Sequence, residues 1–267
     1  MVHRVTWGKQ MVPTGRLSTL IFLVLICALA YYFLERSRRG KVPQIRKLAA
    51  LDAIDEAVAR SIEMGKAIHF TQGNRSDLTR ADVLPQTLAG ISVLSYIATL
   101  CARHGGDLIV TAAVPQIVPV SEDTVKTAYI AEGKGEEYRP DIVQYLGSGY
   151  QIGLIGTLAR HKPGANIYIG GLGAEALYLV EVGNIYGCIN IGGTARPIQL
   201  PFVVAGSDYF LVAEEMFAAG AYLSKDPIAI GSIAGEDISR YIVMGVLIVG
   251  AILLYTGIKI VPDFLKM

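Results

Sequence analysis

Asn166-Ile167-Tyr168-Ile169-Gly170-Gly171-Leu172-Gly173-Ala174-Glu175-Ala176 is the stretch on which the fold turns. Ile167, Tyr168 and Ile169 favour extended backbone, the glycines after them permit a tight turn, and Ala174 to Glu181 is a helix-forming run. A strand, a glycine turn and a helix in that order form the repeating unit of a parallel sheet, because parallel neighbours need a long crossover between them. The same alternation extends in both directions. Upstream, residues 46–65 read as an amphipathic helix, with Leu51, Ile54, Val58 and Ile62 on one face and Gly65 closing it. Residues 67–71 read as a strand, 72–77 as a polar loop, and the run from Leu84 as a core helix. A second strand follows at 107–111, then a helix capped by Ser121 that runs to Ala131, with Glu122 and Asp123 complementing its dipole. Residues 133–139 are a charged loop, and helices are expected at 140–146 and 149–160. Downstream, strands are expected at 187–191, 200–204 and 228–230, with a helix over 207–223. Short apolar runs buried on both faces predict an α/β domain, Rossmann-like, with a largely parallel sheet and helices on both faces.

Two longer apolar runs bracket this domain. Leu17 to Leu34 carries no charge and, at about 1.5 Å per residue, is roughly 27 Å long, just enough to span the hydrocarbon of a bilayer. Tyr31 and Tyr32 stand near its end, where an aromatic belt would place them. Tyr241 to Val261 contains only Lys259, close enough to the end to snorkel, and Pro262 stops it. The expected organisation is a tail (1–16), a span (17–34), a basic juxtamembrane segment with the amphipathic helix (35–65), the soluble domain (66–240), a span (241–261) and a tail (262–267). Arg36, Arg38, Arg39, Lys41, Arg46 and Lys47 outweigh Arg4, Lys9 and Arg16, so the positive-inside rule puts the domain in the cytoplasm of a two-pass protein with both termini outside. A cleaved signal peptide ending at Ala28-Leu29-Ala30 is the competing reading; the apolar run continuing to Leu34 and the basic segment after it argue against cleavage. Leu84 to Ala102 is also apolar, but Pro85, Gln86, Thr87 and a Ser92–Ser95–Thr99 stripe mark a core helix rather than a span. Within 241–261, Gly245, Gly250 and Gly257 reduce bulk without the GxxxG spacing.

Composition narrows the classes of function. Of 267 residues, 52% are hydrophobic and 18% charged, a tilt that fits a minority of the chain in lipid. A net charge of +1 gives no basic field for nucleic acid. Cys27, Cys101 and Cys188 are too few and too scattered for a disulfide framework or a zinc site, and read as free thiols. Of the histidines, His3 lies in the tail, His104 and His161 at helix ends, and His69 mid-strand, where a satisfied core side chain is the expectation. Neither a catalytic set nor a cofactor can be assigned.

A ligand, if there is one, would bind outside the carboxyl ends of the strands. The candidates there are Gln72, Gly73, Asn74, Thr111, Gly171, Gly173, Glu175, Gly193, Thr194, Ser207 and Asp208. Gly171-x-Gly173-x-x-Ala176 has the form of a dinucleotide-binding turn, yet its acidic partner about 20 residues on is missing, since Asn190 and Gly192 stand there. Glu175 would also crowd a phosphate. Two functions therefore remain open: a non-catalytic scaffold or subunit of a membrane complex, partnered by the bilayer and by further copies or other membrane-protein subunits, and a small-molecule or nucleotide sensor or enzyme using the glycine loops.

His69-Phe70-Thr71-Gln72-Gly73, Leu84-Pro85-Gln86-Thr87 and Ile167-Tyr168-Ile169-Gly170-Gly171 resemble segments of an uncharacterised family of prokaryotic membrane proteins known by a domain of unknown function. The resemblance covers about residues 45–255. It implies membrane segments joined to an α/β domain and brings no catalytic residue with it.

Overall fold

The computed structural model describes residues 17–39, 49–224 and 226–255. The expectations for both tails, for Lys41, Arg46 and Lys47, and for Gly257, Lys259 and Pro262 lie outside them. The chain divides into two compact units, Ile45–Lys225 and the pair of terminal segments Met1–Gln44 and Asp226–Met267.

The Ile45–Lys225 unit is built on six strands: β1 (Ile68–Thr71), β2 (Leu108–Ala112), β3 (Val143–Tyr145), β4 (Ala165–Ile169), β5 (Ile189–Thr194) and β6 (Tyr209–Val212). All pair in parallel, in the order β3-β2-β1-β4-β5-β6. That is a doubly wound order, whose direction reverses between β1 and β4. The helices are α2 (Ala49–Glu63), α3 (Leu84–His104), α4 (Ile117–Ala131), α5 (Tyr150–His161), α6 (Glu175–Ile185), α7 (Leu200–Gly206) and α8 (Glu214–Ser224). On one face α3 packs against α2, α4 and α8; on the other, α6 packs between α5 and α7. Of the four inner strands β1, β2 and β4 are buried at every residue, which is why they read as largely apolar runs rather than alternating ones.

Several local expectations are corrected. Residues 200–204 form helix α7, not a strand: Pro201 sits in its first turn, where its missing N–H costs nothing. Val143–Tyr145 pairs with β2 as a strand instead of continuing a helix from Pro140, which starts only a short 3-10 turn. The expected 207–223 helix is split, with β6 first and α8 from Glu214, and Ala213 turning the chain at φ 47°. Ser121 is no cap, because α4 begins at Ile117; its buried hydroxyl accepts the Gln72 Nε2–H at 3.1 Å.

The other unit contains α1 (Leu17–Arg38) and α9 (Pro227–Tyr255), packed against one another. Residues 228–230 open α9 rather than forming a strand: Asp226 accepts the Ile228 N–H at 3.0 Å and Pro227 occupies the first turn. Because α9 starts there and not at Tyr241, it includes Gly231, Gly235 and Ser239, all buried. These are small residues at four-residue spacing. A Cβ on Gly231 would meet the Phe33 carbonyl at 3.0 Å, and one on Gly235 the Ala30 Cα at 3.1 Å, so the spacing lets the two backbones touch. Ser37 Oγ closes the pair by donating to the Pro227 carbonyl at 2.5 Å.

Among the described residues three helices are long and apolar enough to cross a membrane: α1, α3 and α9. They differ in what covers them. Half of α3's apolar window is buried, with Val93, Leu94, Ile97 and Cys101 sealed in the core, against 6% for α1 and 11% for α9. Leu23, Val24, Leu247, Ile248 and Ile252 are instead exposed, a band of bare aliphatic surface that suits lipid and would be costly in water. The N- and C-terminal helices are thus candidate spans.

Candidate functional site

In a doubly wound sheet the crevice for a ligand opens where β1 and β4 part company. Here the loops that follow those strands fill it with each other. Arg75 N–H donates to the Gly171 carbonyl at 2.8 Å, and Gly171 N–H to Ser76 Oγ at 3.3 Å. The glycines explain how the loops come so close. A Cβ on Gly73, whose φ is +88°, would stand 2.8 Å from the Gly171 carbonyl oxygen, and one on Gly171 would stand 2.9 Å from the Arg75 carbonyl carbon. At these two positions the missing side chains give the neighbouring backbone room to approach.

Glu175 takes the remaining place. It is the first residue of α6 and fully buried, and its Oε1 accepts the N–H groups of Asn74 and Gly173, each at 2.8 Å. A helix N-terminus with converging N–H groups is an anion site, and this one is occupied by the chain's own carboxylate. Glu175 Oε2 and Asn74 Oδ1 flank the point where a Gly173 Cβ would stand, and neither has a hydrogen-bond partner among the described residues. Exchanging the oxygen and nitrogen of the Asn74 amide, which fill nearly equal volumes, turns a donor toward that carboxylate. Arg196, from the segment after β5, braces the loop by donating to the Leu172 carbonyl at 2.9 Å.

Of the sequence candidates, Gln72, Gly73, Asn74, Gly171, Gly173 and Glu175 meet at this junction. Thr111, Gly193 and Thr194 lie inside strands β2 and β5 rather than after them. Gly193 accepts the Gly170 N–H at 3.0 Å, and the Thr194 hydroxyl faces Gln86 Oε1 at 3.4 Å. Ser207 and Asp208 do not belong with the rest. With 200–204 helical, they precede β6 and sit at the amino edge of the sheet, where Asp208 Oδ2 accepts the Asn190 N–H at 2.8 Å.

His69 is held in a polar ladder crossing the sheet. Asn166 Nδ2 donates to the Leu179 carbonyl at 3.0 Å and to Asn190 Oδ1 at 2.9 Å, which fixes its Oδ1 as the acceptor for His69 Nδ1–H at 2.8 Å. His69 Nε2 then accepts from Thr111 Oγ1 at 2.9 Å. Asn190 Nδ2 continues the ladder to Asn184 Oδ1 at 2.8 Å. Both ring nitrogens are engaged, and burial pulls the imidazole down to about 4, so it stays neutral. Its role is to satisfy the interior.

An open cleft of about 560 Å³ lies to one side, over the carboxyl ends of β1, β2 and β3. Asn74, Arg75, Asp77, Arg80, Gly147, Ser148, Tyr150 and Gln151 line it, with Ala113 and Val114. Its tyrosine is fixed: Thr71 Oγ1 donates to the Thr111 carbonyl at 2.8 Å, so the Tyr150 hydroxyl donates to Thr71 Oγ1, at 2.6 Å. Burial moves the Tyr150 phenol well above its ordinary range. Asp77 accepts from the Thr79 N–H and hydroxyl, which hold its carboxyl below the usual value, and Arg80 is committed to Asp82 at 2.6 Å. Of the sequence candidates only Asn74 reaches this cleft. The 147–151 wall was missed because β3 read as helix, which hid the fact that a strand end precedes it. A second cleft of about 480 Å³ lies at the amino edge beside Glu56, Arg60, Asn184, Cys188 and Asp208.

No curated protein and no solved structure matches the chain. A family model does, over residues 8–265, which takes in both terminal helices as well as the α/β unit. The chain belongs to the family described as Domain of unknown function (DUF6754).

Proposed function

We propose that this protein is a membrane-anchored, non-catalytic α/β module that serves as a scaffold or subunit of a membrane complex, assembled with further copies or with other membrane-protein subunits. The observation that carries this reading is the closed junction between β1 and β4, where Glu175 takes the N–H groups of Asn74 and Gly173 and the Gly171 carbonyl that of Arg75, donors a phosphate would otherwise use. His69, the one buried histidine among the described residues, is tied up by the ladder. Arg36, Arg38 and Arg39 at the end of α1 favour a cytoplasmic position for the domain. The reading is tested by gentle solubilisation from native membranes followed by mass measurement of the intact particle. Stoichiometric neighbours are expected; a monomer that retains no partner would overturn it.

A second reading follows from the open cleft beside Asn74 and Arg75: a small polar or anionic ligand bound over β1, β2 and β3. A thermal-shift screen with nucleotides, sugars and acyl-CoA tests it, and a screen that moves nothing rejects it.

A further inference from the structure

Helix α1 carries a face that α9 leaves exposed, only Leu25 at its edge also bordering α9 beside Ile242 and Val243. Ala30, Phe33 and Ser37 point at α9, while Ile21, Leu25, Ala28, Tyr32, Glu35 and Arg39 recur at alternating spacings of four and three residues on another face. The upper part of that face is exposed and apolar, with Ala28 leaving a shallow place between Leu25 and Tyr32. The lower part is a cleft of about 570 Å³ lined by Tyr31, Tyr32, Glu35, Arg36 and Arg39. Tyr32 is steadied by the Phe33 ring, edge-on at 5.4 Å. Among the described residues Glu35 takes the Nε–H of Arg39, at 3.0 Å, and no other acceptor meets that guanidinium. The Arg36 guanidinium is exposed and has no ion-pair partner among the described residues.

We propose that this face holds one anionic phospholipid per chain, its phosphate on Arg36 and Arg39 between the two tyrosines and an acyl chain along Ala28, Leu25 and Ile21. The proposal rests on α1 being embedded in the bilayer. An apolar stripe that ends in aromatic rings and then in cations matches a lipid from tail to headgroup. Arginine suits the phosphate because its planar fork donates to two oxygens at once. A second copy of α1 in parallel register is the less suitable occupant, since it would set Arg36 and Arg39 against their own images.

The test uses the full chain in nanodiscs of phosphatidylcholine with or without phosphatidylglycerol, and reads the lipid retained per chain by mass spectrometry of the intact particle. Wild type is expected to keep one phosphatidylglycerol and to release phosphatidylcholine. R36Q/R39Q should lower that retention roughly thirtyfold, the effect of two charges near the surface, while R36K/R39K should keep most of it. Equal retention of both lipids by wild type would overturn the proposal without any variant. So would a glutamine variant that retains phosphatidylglycerol normally, or a lipid-free dimer cross-linked through this face. Displacement of the lipid by inorganic phosphate alone would make it a soluble-anion site and overturn the assignment to lipid.

Discussion

Glu175→Ala removes the carboxylate from the amino end of α6 and leaves the Asn74 and Gly173 N–H groups facing a hole. An orphaned buried donor costs about 1–3 kcal/mol, and the two together should cost about 3 kcal/mol, allowing for some relaxation of the loops. For a chain of this size that lowers the melting midpoint by roughly 6–12 °C. Cys101 and Cys188 supply the assay, because both are buried in the folded chain and become reactive when it opens. A Cys27→Ser background removes the exposed thiol, and a thiol-reactive fluorophore then reports unfolding of the α/β unit. Glu175→Gln keeps an acceptor at Oε1, and with the Asn74 amide turned back its own amide can donate to Asn74 Oδ1, so its loss should be about 1 kcal/mol, or roughly 2–4 °C. Acetate should restore part of the alanine variant's stability and leave wild type unmoved, since only the variant has a vacant anion site. An alanine variant that melts with wild type would refute the reasoning, for the carboxylate would then not be what holds the two loops.

Gly73→Ala puts a methyl group 2.8 Å from the Gly171 carbonyl at a positive φ, and should cost at least about 2 kcal/mol in the same assay; a midpoint within a degree or so of wild type would show that the loops can separate. The buried His69 titrates at about 4 instead of 6.5, so its contribution is complete above pH 6.5 and is lost as the pH falls toward 4. That loss amounts to about 3 kcal/mol; denaturation midpoints that stay flat across this window, or a His69→Leu variant with an unchanged slope, would contradict it. In the terminal unit, oxidation should join Ala30→Cys to Gly235→Cys, where the backbones meet, but not Ala30→Cys to Gly245→Cys, which faces open space; gel mobility separates the two outcomes.

Much of the architecture was legible because burial on both faces leaves a mark in sequence. Ile68–Thr71, Leu108–Ala112 and Ala165–Ile169 are sealed inner strands and read as apolar runs. The misreadings cluster at the sheet's edges. Val143–Tyr145 is too short to show any period, and Leu200–Val204 is an apolar run that burial alone cannot assign to strand or helix. That second error moved Ser207 and Asp208 to the wrong end of the sheet. The glycine loops were legible, but the close approach of their backbones was not, since a glycine admits a ligand's phosphate and a neighbour's backbone equally well. Only the pairing of Gly73 with Gly171 and of Asn74 with Glu175, a hundred residues apart in sequence, separates the two. The Gly231–Gly235–Ser239 spacing escaped notice because α9 was started at Tyr241, beyond all three.

The junction between β1 and β4 is closed by the chain itself, and backbone amide hydrogen exchange at Asn74, Arg75 and Gly173 tests that most directly. In the full chain without added ligand these three amides should be protected to the level of the neighbouring strands, because each donates to Glu175 or to Gly171. Exchange at the rate of an open loop, with protection appearing only when a nucleotide is added, would contradict the account and make the crevice a binding site.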